Sequence, residues 1–316
     1  MELLRWSTKV GFILKENKPM KRSPLFFFLC LLGGLSNSFS QNAPDIFILP
    51  KQLQWVNPSQ VGWEQKSSAG IHLHSQWLGI DNAPKQSMVY YENYQEKNNL
   101  SYGFVLRNNT TFGENNTAVY LQFSKPIQLS QTMKLILGIQ GGGNFYDQNF
   151  NYFNSVDGVV DDPLLEPQNI FVPNIGVGGI LSYKSFFFSS GLPQLFKKNI
   201  FRRDDPIFLP NRIAQWYGLE WRSNLSPLWE HLFSLQLHNL SVSNWTLQAK
   251  AGIQHQRGAG FLVINSEKEI AFGLLFHEKR FLSVGYSFQF PLVNDTGVRF
   301  NKHQINFRFR FRDRLP

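Results

Sequence analysis

Cysteine, charged residues and long apolar runs are all scarce in this sequence. The 316 residues include 1 cysteine, and charged residues make up 17% of the chain, below the roughly 25% that is usual for soluble domains. After residue 40, no apolar run reaches the roughly 18 residues of a membrane-spanning helix, which excludes a helical membrane protein. Cys30 is the lone cysteine, so the chain has no disulfide of its own and must be held by hydrogen bonds and packing.

The first 40 residues have the pattern of a secretory signal peptide. A basic stretch at Met20-Lys21-Arg22 precedes an apolar run over residues 24–35, and small polar residues follow up to Ser40. The apolar run is too short to cross a bilayer as a helix, and the small residues match a cleavage site. We predict an N-terminal extension and signal peptide over residues 1–40, with translation starting at Met20 and cleavage before Gln41.

Phenylalanine, by contrast, is abundant. Aromatic residues make up 15% of the chain, and Phe occurs 30 times. A soluble protein has to bury such side chains in a core, whereas a β-barrel in lipid displays them to the hydrocarbon. Of the net charge of +9, residues 1–40 carry 6 − 2 = +4. The other basic residues are spread among apolar ones and do not form the Lys/Arg stripe that nucleic acid requires. We therefore predict no nucleic-acid partner.

Alternation of apolar and polar residues with a period of two recurs along the chain, for example over residues 119–124 and 133–140. Such alternation predicts β-strands. A sheet in lipid must close on itself, because lipid offers no hydrogen-bond partner to a free edge. The predicted fold class is all-β: a single-domain transmembrane antiparallel β-barrel of about 14 strands, with about 12 to 16 as the range.

This fold divides the mature chain into two parts. We expect residues 41–66 to form a periplasmic N-terminal segment packed at one mouth, and residues 67–316 to form the barrel. Two polar stretches, residues 146–173 and 199–211, are predicted to be long surface loops because they lack the alternation.

The last predicted strand, residues 303–312, has the clearest alternation. Its successive side chains point to opposite faces of the strand, which gives it one apolar and one polar face. We predict that the polar face lines a wet lumen while the apolar face meets lipid. In a soluble β-sandwich, the polar face would instead meet water at an edge strand. The apolar face comprises Ile305, Phe307, Phe309 and Phe311, and the polar face comprises Asn306, Arg308, Arg310 and Arg312.

Two motifs resemble those of a known family. The chain reads Asn57-Pro58-Ser59-Gln60-Val61-Gly62 and, further on, Gln76-Trp77-Leu78-Gly79-Ile80-Asp81-Asn82-Ala83-Pro84. Both are similar to motifs of the PorP/SprF family, outer-membrane proteins of type IX secretion systems in Bacteroidetes. Ser59 and Val61 stand where the family has alanine. The resemblance marks eight residues as structural or partner-binding: Asn57, Pro58, Gly62, Gln76, Trp77, Gly79, Ile80 and Pro84.

The resemblance implies a role in type IX secretion and no catalytic activity. Family members are outer-membrane barrels of Gram-negative bacteria that bind, export or surface-anchor particular large clients such as adhesins. The implied partners are type IX secretion components, a secreted or surface client protein and outer-membrane lipid. The residues alone leave open a porin-like channel, in which the row that contains Arg308 favours anionic solutes.

Other candidate sites have less support. His72 and His74 share one face of a predicted strand, but a metal site needs a third ligand and the sequence places none nearby. Ser189 and Ser190 lack the Gly-x-Ser-x-Gly frame of a hydrolase. We predict no catalytic residue, no metal and no cofactor. The early aromatic residues are predicted to form a girdle at the membrane interface, namely Trp55, Trp63, Trp77, Tyr90, Tyr91 and Tyr94.

Overall fold

The computed structural model describes most of the chain after the predicted signal peptide. All described residues belong to one compact unit within residues 38–316. The predicted signal peptide and Arg312 lie outside the described residues. Where the chain is described, no helix is both long and apolar enough to span a bilayer. The described residues are 49, 51–80, 82–111, 113–148, 168–196, 213–240, 245–278, 281–292 and 301–311.

The described residues form fourteen antiparallel strands that close into one barrel, as the sequence predicts. Each strand pairs with its neighbours in sequence, and β1 pairs with β14 to close the sheet. A closed single sheet has no second layer, so the β-sandwich alternative is wrong. The strands are β1 Ser68–Gln76, β2 Lys85–Gln95, β3 Leu100–Thr111, β4 Glu114–Ser130, β5 Met133–Gln148, β6 Gln168–Tyr183, β7 Phe186–Leu192, β8 Gln215–Ser226, β9 Trp229–Asn239, β10 Thr246–His255, β11 Gly258–Asn265, β12 Glu269–Glu278, β13 Leu282–Pro291 and β14 Lys302–Arg310.

The two ends of the barrel differ in the length of their connections. One end, the short-turn end, carries the start of β1, the end of β14 and six short connections. The opposite, long-loop end carries the longest connections, residues 149–167 and 193–214. The first of these is shorter than the predicted loop, because β5 and β6 remain paired as far as Gln148 and Gln168. The short connections are residues 96–99, 131–132, 184–185, 227–228, 256–257 and 279–281.

The wall has an apolar outer face and a polar inner face. In β14, Phe307 and Phe309 are 38% and 54% exposed on the outside, whereas Arg308 is buried on the inside. In β4, Leu121 is exposed and its neighbour Gln122 is buried. Because side chains alternate along a strand, outward apolar residues meet lipid while inward polar residues line the lumen.

An arginine on the outer face is expected to destabilise the barrel according to its depth. Leu121 lies near the middle of β4, whereas Leu129 lies beyond the exposed Lys125, next to the 131–132 turn. We expect Leu121→Arg to cost about 2–4 kcal/mol and Leu129→Arg about 0–1 kcal/mol, because a charge at the bilayer midplane loses its hydration. Guanidinium unfolding in lipid vesicles measures both. Equal losses would mean that β4 does not cross the membrane at Leu121.

The prediction of an aromatic girdle is wrong for three of its six residues, because these three lie inside the barrel. Tyr90 is fully buried on the inner face of β2. The guanidinium of Arg107 stacks 3.6 Å from the ring centre of Trp55, and Trp63 packs edge-on against Phe187. Aromatic chemistry suits a packed lumen as well as a membrane interface, so composition alone did not separate the two locations.

Candidate functional site

A segment of the chain before β1 lies inside the barrel. We call Leu49 together with residues 51–66 the lumen segment. It contains two 3-10 turns, Gln52–Trp55 and Pro58–Gln60. The sequence predicts this segment at one mouth, yet the structure fully buries Gln54, Asn57 and Val61 within the wall. The lumen segment therefore fills space that an open porin would leave to water.

Asn57 and Pro58, from the first family motif, shape the second turn of the lumen segment. The backbone N–H of Ser59 donates to Asn57 Oδ1 at 3.0 Å, so Asn57 caps the turn. Pro58 occupies the first position of the turn, where its lack of an N–H costs nothing. Gly62 follows with φ of 61°, a left-handed conformation that glycine adopts without strain. The motif thus sets the path of the backbone through the lumen.

Glutamine side chains attach the lumen segment to two separate parts of the wall. Gln52 Nε2 donates to Gln304 Oε1 of β14 at 2.8 Å and lies 2.9 Å from His72 Nε2 of β1. Gln54 Nε2 donates to Gln122 Oε1 of β4 at 3.0 Å, and Gln122 returns a bond to the Gln54 carbonyl at 2.8 Å. Buried amides are costly unless they are hydrogen-bonded, so these bonds determine where the segment sits.

A row of small residues crosses five neighbouring strands and carries the backbone of the lumen segment. We call it the small-residue belt, and its members pair in register from β3 to β7. A Cβ added at any of its three glycines would overlap the lumen segment, at Ser59, Asn57 or Val56. Side chains would hold the segment away from the wall, so small residues permit the contact. The belt comprises Ser101, Ser124, Gly138, Gly178 and Gly191.

A buried carboxylate connects the lumen segment to β2. Glu92 is 1% exposed and lies 2.7 and 2.9 Å from Lys51 Nζ through its two oxygens. It also accepts the backbone N–H of Gly62 at 2.8 Å and the hydroxyl of Ser68 at 2.6 Å. These partners stabilise Glu92, because an ionised carboxylate inside a protein is stable only when it is paired and hydrogen-bonded.

A second carboxylate, that of Glu64 in the lumen segment, engages the arginines of β14. Glu64 Oε1 accepts from Arg308 Nη1 at 2.7 Å, and Arg310 Nη2 lies 3.5 Å from Glu64 Oε2. Burial alone would raise the pKa of Glu64, but the positive charges of Lys51, Arg308 and Arg310 hold that pKa well below its ordinary value. Glu64 is therefore ionised at neutral pH, and the arginines of β14 face it rather than an open pore.

A cavity of about 580 Å³ lies beside the lumen segment and reaches the short-turn end. We call it the mouth cavity. Its wall comes from β6 to β12 and β14, with Trp63 and Glu64 of the lumen segment on one side. Exposed Gln256 and Lys66 lie where it reaches the turns. Six of its lining residues are cationic and two are carboxylates: Lys51, Lys66, Arg222, Lys250, Arg308 and Arg310 against Glu64 and Glu220.

The second family motif lies away from this cavity, at the long-loop end. The backbone N–H of Gln76 donates to the Pro84 carbonyl at 3.0 Å, and that of Ile80 to the Trp77 carbonyl at 3.1 Å. Trp77 and Gly79 both have positive φ, at 51° and 93°. These residues shape the connection between β1 and β2, so the structure does not bring the two motifs into one site.

Several residues that bond the lumen segment to the wall could not be recognised in the sequence. Gln52, Gln54, Glu64 and Glu92 are ordinary polar residues until the fold brings their partners together. Isolated glycines within alternating strands were the one available indication, since they mark places where another backbone approaches closely. Within the described ranges, no three His, Cys, Asp or Glu side chains are grouped to hold a metal ion, and His72 contacts Gln52.

Comparisons with known proteins agree with this architecture. The family model described as "Type IX secretion system membrane protein PorP/SprF" matches residues 52–309, which confirms the resemblance. The Ralstonia pickettii toluene transporter TbuX is 8% identical, with 82% of this chain and 93% of that chain covered and a TM-score of 0.53. The CymD monoaromatic hydrocarbon channel is 9% identical, with 86% and 96% covered and a TM-score of 0.50. At such identities these structures share the fold alone. A search of curated proteins found no match.

Proposed function

Because this chain belongs to the PorP/SprF family of type IX secretion system membrane proteins, we propose that it binds a specific secreted client, such as a large adhesin, and exports it or anchors it at the cell surface. The partners are then other type IX secretion components and the client. The observation that carries the proposal is the lumen segment. A barrel that fills its lumen with its own chain is suited to holding a protein and not to passing solutes.

The orientation of the barrel follows from its connections. Outer-membrane barrels have short periplasmic turns and longer extracellular loops, so the short-turn end, with the mouth cavity, faces the periplasm. Client and secretion components reach that end before export. The long-loop end faces outward and offers a surface for anchoring. Binding on this rigid scaffold needs no bond to be made or broken.

The porin-like alternative has less support. It rests on the basic face of β14 as the lining of an open, anion-selective pore. Arg308 is instead buried and bonded to Glu64 of the lumen segment. The segment also contacts strands around the barrel, from β1 through β7 to β14. An anion in transit would have to displace these contacts.

Deletion of the gene tests the proposal directly. We expect one secreted protein to disappear from the cell surface while the rest of the surface proteome stays unchanged, because each such barrel serves a specific client. Quantitative mass spectrometry of surface-labelled cells measures the loss. Complementation with the intact gene restores the client and serves as the control. An unchanged surface proteome after deletion would contradict the proposed role.

A further inference from the structure

The mouth cavity has the chemistry of a peptide-binding site. We propose that it binds an acidic segment of a partner protein, one that also carries apolar side chains. The inference rests on the proposed function, since the partner is then the client or a secretion component, and it adds the place and the chemical class of the recognised segment.

Charge is the first reason. Six cationic residues and two carboxylates line the mouth cavity. Lys51 is also neutralised by the buried carboxylate of Glu92, so the excess of positive charge is 6 − 2 − 1 = 3. Each carboxylate is already engaged by arginine: Glu220 accepts from Arg222 at 2.6 Å and Glu64 from Arg308 at 2.7 Å. A cavity that is lined by charge of one sign and has low-dielectric walls concentrates the electric field, and it attracts ligands of the opposite charge. The complementary partner is negatively charged.

The apolar part of the lining is the second reason, and it favours a peptide over a small inorganic anion. Aromatic rings of the lumen segment, β7, β8 and β11 face the cavity alongside the cations. Lys250 shows the pairing of the two, with its ammonium 5.1 Å from the ring centre of Phe261. An inorganic ion would leave these apolar surfaces uncovered, whereas a peptide with acidic and apolar side chains covers both. The rings belong to Trp63, Phe187, Trp216 and Phe261.

Two buried polar atoms of the wall are the third reason for a peptide ligand. Trp216 and Gln236 line the cavity and are 1% and 2% exposed. Among the described residues, neither Trp216 Nε1 nor Gln236 Oε1 has a hydrogen-bond partner. One is a donor and the other an acceptor, and a peptide backbone carries the complementary groups. Buried polar atoms without a partner are uncommon in proteins, and each calls for a partner that the described residues do not supply.

The position of the cavity favours a protein over a lipid. It lies inside the wall, which separates it from the bilayer, and it reaches the short-turn end beside the exposed Lys66. Lipid contacts the barrel from outside, where the exposed side chains are mostly apolar. A flexible chain approaching along the barrel axis reaches the cavity without crossing lipid.

Peptide binding to the purified, detergent-solubilised barrel tests the inference. The probes are capped peptides in which Phe alternates with Glu, Gln or Lys, and calorimetry gives each Kd. We expect the Glu peptide alone to bind, with affinity that falls as salt rises from about 50 to about 300 mM. Lys66→Glu and Lys250→Gln each weaken binding, and together they weaken it by at least about tenfold.

Lys97→Glu is the matched control, because Lys97 is an exposed lysine at the same end, in the turn before β3, and it does not line the cavity. It should bind the Glu peptide as the unchanged barrel does. Heat-modifiable gel migration shows that each variant is folded, and Lys66→Glu alters only an exposed side chain.

Three outcomes would overturn the inference. The Gln peptide could bind as tightly as the Glu peptide, the Glu peptide could fail to bind, or inorganic phosphate could compete as well as the Glu peptide does. None of these outcomes changes the result of the gene deletion, so failure of this inference is distinguishable from failure of the proposed function.

Discussion

Gly178→Val displaces the lumen segment, whereas Gly179→Val leaves it in place. Gly178 faces the lumen, and a Cβ there would overlap the side-chain oxygen of Asn57. Gly179 is its neighbour on the opposite face, and a Cβ there meets atoms only at ordinary contact distance, 3.9 Å and beyond. Two valines in adjacent positions of β6 therefore differ in one respect: only one of them occupies the space of the lumen segment.

Conductance across a planar bilayer measures the displacement. We expect the unchanged barrel and Gly179→Val to show little steady current, and Gly178→Val to open a stable pore, because water fills the space that the segment leaves. Limited proteolysis should cleave residues 51–66 in Gly178→Val alone. A closed, protease-resistant Gly178→Val barrel would show that the segment tolerates a larger side chain in the small-residue belt, and that its close contact with Gly178 is not what holds it.

Glu92→Ala is expected to cost about 3–5 kcal/mol of stability, because it leaves Lys51 as an uncompensated buried charge. The side chains of Lys51 and Glu92 are only 4% and 1% exposed, so water replaces the lost partner poorly. Glu92 also accepts the Gly62 N–H and the Ser68 hydroxyl, and both donors lose their acceptor as well. Guanidinium unfolding in lipid vesicles measures the loss.

Two further variants test whether the unpaired charge and its burial cause this loss of stability. Replacing both partners, as Lys51→Met with Glu92→Leu, should recover the part of the loss that comes from the unpaired charge of Lys51, since an apolar pair carries no desolvation cost. The Gly62 N–H and the Ser68 hydroxyl still lack their acceptor in this variant. Glu220→Ala removes one partner of a more exposed pair, with side chains 31% and 19% exposed, and should cost about 1 kcal/mol or less. If Glu92→Ala were as mild as Glu220→Ala, the buried pair would not be anchoring the segment.

The wall of the barrel could be predicted from sequence because its rule is local. In β14, the residue before and the residue after Arg308 are both Phe, so alternation alone assigns the faces. Closure follows from the membrane, which tolerates no free edge. The same rule missed the ends of β5 and β6, where polar residues such as Asp147 and Asn169 pair beyond the apolar band.

The contents of the lumen could not be predicted in this way. The lumen segment has no regular alternation of apolar and polar residues, because its 3-10 turns and extended parts follow the barrel wall. Glu64 meets Arg308 across 244 positions of sequence, and Gln52 meets Gln304 across 252. Only the closed fold brings such residues together. The family motif indicated that residues 57–62 matter, but the place where they lie depends on the small-residue belt of other strands.

The contacts of the lumen segment with β14 have a consequence for assembly. The segment is the earliest described part of the chain to be synthesised, and β14 is the last strand. Gln304 and Arg308 of β14 bond to Gln52 and Glu64, and β14 also seals the sheet against β1. The strand that seals the sheet therefore also supplies two of the bonds that hold the segment in the lumen, so the segment has its full set of contacts only in the closed barrel.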